Sequence, residues 1–181
     1  MKAIVKVPND VLTTAANSIT SFDKKLARLV VDMKTTLIAT SKPKGVGLAA
    51  PQIGEPWRVF ITRPQEKDDI RVFVNPEITK QSDTLTDGVP ERDHKLEGCL
   101  SIPNIWGKVA RSKRVTLRFQ DETGAEHTEV FNGFMATIIQ HETDHLNGTL
   151  FTYRVLSQHG TFYQSATDEN GKEILEEIEL K

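Results

Sequence analysis

At 181 residues the chain suits one compact domain, long enough to bury a sizeable core without disulfides, and a single catalytic domain over 1–181 is expected. Hydrophobic residues make up 38% and charged residues 27%, and no run approaches the ~18 apolar residues of a membrane span, which argues against a membrane protein. The formal net charge of -2 excludes a general electrostatic pull toward nucleic acid or anionic lipid, and the single cysteine, Cys99, excludes an intrachain disulfide.

The opening segment, Met1 to Asp10, has neither the apolar core of a secretory signal nor the Arg/Ser richness of a transit peptide, so a cytoplasmic address is expected. Between Ser21 and Thr40 the apolar residues Leu26, Leu29, Val30, Met33 and Leu37 form a helical stripe, with Ser21 or Asp23 as the cap. Gly45 to Gly54 is punctuated by glycine, and the β-branched and aromatic runs Arg58 to Thr62 and Ile70 to Asn75 predict strands. Thr79 to Lys95 carries turn residues and charge with little periodicity and reads as a surface loop. Strands are expected at Val109 to Arg111, Arg114 to Gln120 and Glu126 to Phe131, the last two joined by the turn Asp121-Glu122-Thr123-Gly124. The basic residues Lys108, Arg111, Lys113, Arg114 and Arg118 read as a solvated face.

From Asn132 to Asn147 the apolar residues Phe134, Met135, Ile138, Ile139 and Leu146 suit a largely buried helix, N-capped by Asn132 and stopped at Gly148. Strands around one buried helix predict an α+β fold. Beyond Leu156 the pattern weakens, and Asp168-Glu169-Asn170-Gly171 fits either a hairpin turn or a helix start. Since every residue given a role below lies upstream, the tail after about Ser157 is expected to be dispensable for turnover.

The strongest chemical signal is His141-Glu142-Thr143-Asp144-His145 inside that helix. Residues four apart share a helix face, so both imidazoles can meet one metal while Glu142, one step round, reaches a water beside it. Left unpaired in a buried helix, each polar group costs roughly 1–3 kcal/mol, which a shared ligand would offset. A catalytic site of this kind takes three protein ligands, and Cys99 in Glu97-Gly98-Cys99-Leu100-Ser101 is the best remaining candidate, its thiolate suiting Zn(II) or Fe(II). Asp144 points to the other side of the helix and suits a supporting acceptor. In Gly45-Val46-Gly47-Leu48-Ala49-Ala50-Pro51-Gln52 the small residues permit close approach, and Gln52 offers an amide N–H for an oxyanion.

These three segments, in this order, resemble the three signature motifs of peptide deformylases, with similarity running from about residue 5 to Leu156. The resemblance implies antiparallel sheets around the ligand-bearing helix and removal of the N-formyl group from the formylmethionine of nascent polypeptides. It implies metal ligation by Cys99, His141 and His145, acid/base work by Glu142, and an oxyanion held by Gln52 and the backbone N–H of Leu100. It implies Fe(II) as the metal, with Zn(II), Ni(II) or Co(II) as alternatives. The peptide would lie as an added strand beside Gly45 and Gly47, its methionine in a pocket of Val46, Glu97, Leu100, Thr137, Ile138 and His141. N-formylmethionyl peptides are the expected partners of a monomer. The chain's acidic end, Glu173 to Lys181, lacks the basic helix with which some relatives contact the ribosome, leaving at most a transient contact there.

Two features depart from the family pattern. The loop from Thr79 to Lys95 is longer than in compact members, and Asn104-Ile105-Trp106-Gly107 follows Pro103 where many members carry an arginine near the substrate. Two other readings compete. A metallopeptidase of another fold shares the helix motif, but its third ligand commonly lies downstream, where only His159 is available. A non-catalytic metal-binding relative would have no need of Glu142 or Gln52.

Overall fold

The structure is a computed structural model that describes residues 1–41, 44–92 and 94–178. Helix α1 spans Lys24–Ala39 and is capped by Asp23, whose carboxylate accepts the backbone N–H groups of Lys25 and Leu26. That cap satisfies donors a helix start otherwise leaves free. All five apolar residues of the expected stripe are buried.

Five strands form the first sheet: β1 (Gly47–Ala49), β2 (Val59–Thr62), β3 (Arg71–Gln81), β6 (Arg114–Gln120) and β7 (Glu126–Asn132). They are antiparallel throughout, in the order β1-β2-β3-β6-β7. Helix α2 spans Gly133–Leu146. Alternation along the strands divides their side chains between the two helices. Leu48, Val59, Ile61 and Val74 join the α1 cluster, while Ala49, Phe60 and Phe73 join Ala136, Ile139 and Leu146 of α2. Phe60 and Phe73 stack with ring centroids 4.7 Å apart, both without solvent exposure, so truncating either to alanine would cost about 3–5 kcal/mol.

The second sheet contains β4 (Glu97–Cys99), β5 (Ile102–Gly107), β8 (Phe162–Thr167) and β9 (Glu173–Ile178), antiparallel in that order. Helix α3, Phe151–Ser157, packs Phe151 and Val155 against Ile102 and Phe162. The α+β class and the antiparallel sheets agree with the sequence expectation.

Four local expectations change. Residues 79–81 continue β3, so the loop begins at Ser82. Val109 to Arg111 is not a strand, because the preceding run Ile102–Gly107 takes that pairing. The tail is ordered as the β8–β9 hairpin, turned by Asp168, whose carboxylate accepts the N–H groups of Asn170 and Lys172. Arg111 is no part of a solvated face: only 5% of it is exposed. The last three residues of the acidic end lie outside the described residues. Among the described residues, no helix is long and apolar enough to cross a membrane.

Candidate active site

The two sheets present their end strands, β1 and β4, to the same side of α2, and a cavity opens between them. Its floor comes from α2 itself. His141 and His145, one turn apart, lie with ring centroids 4.9 Å from each other, and Cys99 at the end of β4 meets them. The ligand-capable atoms of Cys99, His141 and His145 all lie within 4.8 Å of one another. Cys99 Sγ is 3.2 Å from His145 Nε2.

Glu97 fixes the orientation of one imidazole. His141 Nδ1 lies 2.6 Å from Glu97 Oε1, and with the proton on Nδ1 the other ring nitrogen keeps its lone pair for a metal. Glu97 is held in turn by Arg111, which donates Nε to Oε2 at 2.8 Å and Nη2 to Oε1 at 2.6 Å. Arg111 also donates Nη1 to Asp144 at 2.9 Å, and Arg154 closes the chain with a bidentate contact to Asp144. Asp144 is therefore a supporting acceptor, as expected. Burial works against the Glu97 carboxylate, but the Arg111 guanidinium and His141 outweigh it and hold it well below the usual carboxylate range.

The donor set fits a soft divalent cation. Burial opposes ionisation of Cys99, yet the charge of His145 and the hydrogen bonds of both histidines hold its thiol well below the ordinary value. Burial likewise opposes a charged His141, but Glu97 and Cys99 raise it well above its ordinary value. The thiolate and the imidazoles thus stabilise each other's charge, which keeps the sulfur in the ionised form that binds metal. His145 Nδ1 has no hydrogen-bond partner among the described residues.

Glu142 stands beside the cluster over β1. A side chain at Gly47 would collide with the Glu142 carboxylate and with Ile138, so glycine is what lets the acid lie against the strand. Burial pushes the Glu142 carboxyl up to about 7 despite the opposing charges of His141 and His145, and its Oε2 has no hydrogen-bond partner among the described residues. A carboxyl of that kind can take and return a proton near neutrality. Gln52 sits in the short helical turn after β1, and the Ala49 N–H donates to its Oε1 at 2.9 Å. That bond turns the amide nitrogen toward the cavity, where it lies 3.4 Å from Cys99 Sγ and 3.3 Å from Ser101 Oγ.

Of the residues expected to act as metal ligand, acid/base, oxyanion donor or substrate contact, all but His145 line this cavity, and His145 lies in the metal cluster beneath it. Lys44, Val89, Arg92, Trp106 and Phe134 also line it and were not anticipated. Nor was Arg111, whose sequence neighbours gave no sign of burial. Trp106 lies across Gly98 and donates its indole N–H to Ser165 Oγ in β8 at 2.8 Å.

A buried carboxyl that titrates near neutrality beside a thiol and two imidazoles, in a cleft bordered by sheet edges, is the equipment of a metal-dependent hydrolase. Comparison with known proteins gives that class its family. The family model described as polypeptide deformylase matches residues 1–160. Peptide deformylase 1 of Bacillus subtilis is 39% identical over 155 residues, 86% of this chain and 90% of the relative. The crystal structure of peptide deformylase from Thermotoga maritima superposes with a TM-score of 0.75 at 34% identity, covering 85% of this chain and 97% of that one. The class I type b peptide deformylase from Acinetobacter baumannii, solved with Met-Ala-Ser bound, gives 0.74 at 34% identity over 85% and 98%. The chain belongs to the peptide deformylase family, enzymes that remove the N-formyl group from nascent polypeptides.

Proposed function

We propose that Cys99, His141 and His145 hold one divalent metal, Fe(II) in the native enzyme, and that Glu142, Gln52 and the Leu100 N–H carry out deformylation of N-formylmethionyl peptides beside it. The observation that carries this reading is the convergence of three ligand atoms within 4.8 Å with the buried Glu142 next to them. When bound, such a metal supplies Lewis acidity and lowers the pKa of water toward ~7.

The chain's own groups do the rest. Glu142 accepts the proton that water gives up as its oxygen bonds to the formyl carbon. The negative charge that develops on the formyl oxygen is met by Gln52 Nε2, already turned inward by Ala49, and by the Leu100 N–H. Such donors are each worth about 3–4 kcal/mol in the transition state. Glu142 then gives its proton to the amine nitrogen as the carbon–nitrogen bond breaks, releasing formate and a free N-terminus.

The substrate lies extended along β1, with backbone pairing near Gly45 and Gly47, and its methionine enters the recess of Val46, Glu97, Leu100, Thr137, Ile138 and His141. Two facing sheet edges at the cleft support this mode. A relative solved with Met-Ala-Ser bound supports a methionine-headed peptide as the ligand. We further propose that the enzyme works as a cytoplasmic monomer, since one chain supplies every group named. Any ribosome contact is transient. The test is formate release from a formyl-Met peptide with the acetyl-Met peptide as control. Turnover of the first alone supports the reading; no turnover of either overturns it.

A further inference from the structure

The rim of the cleft carries cationic groups that the reaction does not use. Arg92, from the loop before β4, lines the cavity with its guanidinium carbon 5.4 Å from the centre of the Trp106 ring. Among the described residues the hydrogen bonding of its guanidinium is limited to one long contact, Nη1 to Leu96 O at 3.5 Å, and no carboxylate lies within ion-pair distance of it. A guanidinium has five N–H donors, so most of this one's capacity is unspent. It is also substantially desolvated, which makes an unpaired cation costly and an arriving anion favourable.

Among the described residues the acidic neighbour that acts on Arg92 is Glu97, and it is shared with other cations. Glu97 is committed to Arg111 and His141, and Glu142 is buried beneath the chemistry. Lys44, on the opposite rim, adds a second positive charge and pairs with Glu66 outside the cavity lining. The aromatic platform is braced from two sides: Trp106 rests on Gly98 and is tied to Ser165. Ser165 lies beyond residue 160, where the family match ends.

We propose that Arg92 on its Trp106 platform reads the peptide beyond the methionine and selects for a negatively charged residue at the second or third position. This inference rests on the deformylase reading and adds a sequence preference to it. A backbone carbonyl would satisfy the guanidinium equally for any peptide; only a side-chain carboxylate makes the contact depend on sequence. Charge complementarity at a partly open rim gives modest discrimination that weakens with salt.

The test measures kcat/KM for C-terminally amidated formyl-Met-Xaa-Ala and formyl-Met-Ala-Xaa peptides, with Xaa as Glu, Gln or Lys. The wild type should favour Glu over Gln by about fivefold at one of the two positions and disfavour Lys there, with the preference shrinking at high salt. Each variant is judged by the ratio among its own peptides, so altered overall activity does not obscure the result. In Arg92→Gln the Glu-to-Lys ratio should fall toward unity, and in Arg92→Glu it should invert. A flat wild-type profile at both positions, or an undiminished preference in both variants, overturns the proposal. Failure to release formate from any of the peptides overturns the deformylase reading, and this inference with it.

Discussion

The 2.6 Å contact between His141 Nδ1 and Glu97 Oε1 joins a metal-ligand candidate to a buried chain of charges, Glu97–Arg111–Asp144–Arg154, on the rear of α2. The carboxylate sets which nitrogen of His141 carries the proton and which way the ring faces.

Glu97→Gln keeps the size of the side chain but removes the charge that aligns His141. Metal affinity, measured by competition with a chromogenic chelator, should weaken ~10-fold or more, as for loss of other partners of metal-bound histidines. Unchanged affinity would show that His141 is oriented by something else.

Arg111 and Arg154 share Asp144 but differ in surroundings, with side chains 5% and 41% exposed. Arg111→Met removes the buried guanidinium shared by Glu97 and Asp144, leaving them only His141 and Arg154, and should lower the stability of the metal-free protein by about 3–5 kcal/mol in urea unfolding. Arg154→Ala, at the solvent edge, should cost no more than about 1 kcal/mol. Equal losses would mean that the charges are not ranked by burial.

Much of this arrangement was legible from local pattern. The α1 stripe, the β6–β7 hairpin and α2 obey the periods of their elements, and both histidines and Glu142 came with α2. The strand pair β4–β5 escaped because Glu97-Gly98-Cys99 is short and Ile102-Pro103-Asn104-Ile105 breaks alternation. Each is stabilised by neighbours supplied later in the chain. Arg111 escaped for a related reason: its partners lie 14 and 33 residues away, and nothing in a run of basic residues marks the one that turns inward. Arg92 and Trp106 came from segments without periodicity, so their meeting at the cleft is a product of tertiary structure.

The packing of the hairpin β8–β9 argues against the expectation that the tail is dispensable for turnover. Phe162 is buried in the cluster of Ile102, Phe151 and Val155, and Ser165 ties down Trp106. A chain ended at Gly160 should lose at least about 2 kcal/mol of stability, the order expected for one buried phenylalanine, and should show a lower kcat/KM on short formyl-Met peptides. Unaltered unfolding and turnover would restore the original expectation.

The most direct measurement concerns Glu142, assigned to move protons while its neighbours on α2 hold metal. Glu142→Gln retains size and hydrogen bonding but has no proton to take or return. Metal content by elemental analysis should stay at one per chain, and a metal-chelating hydroxamate should still bind. Formate release should fall ~10²-fold or more, as for loss of a general base. Near-normal turnover in this variant would contradict the proposed mechanism, and loss of metal together with activity would contradict the division of labour along the helix.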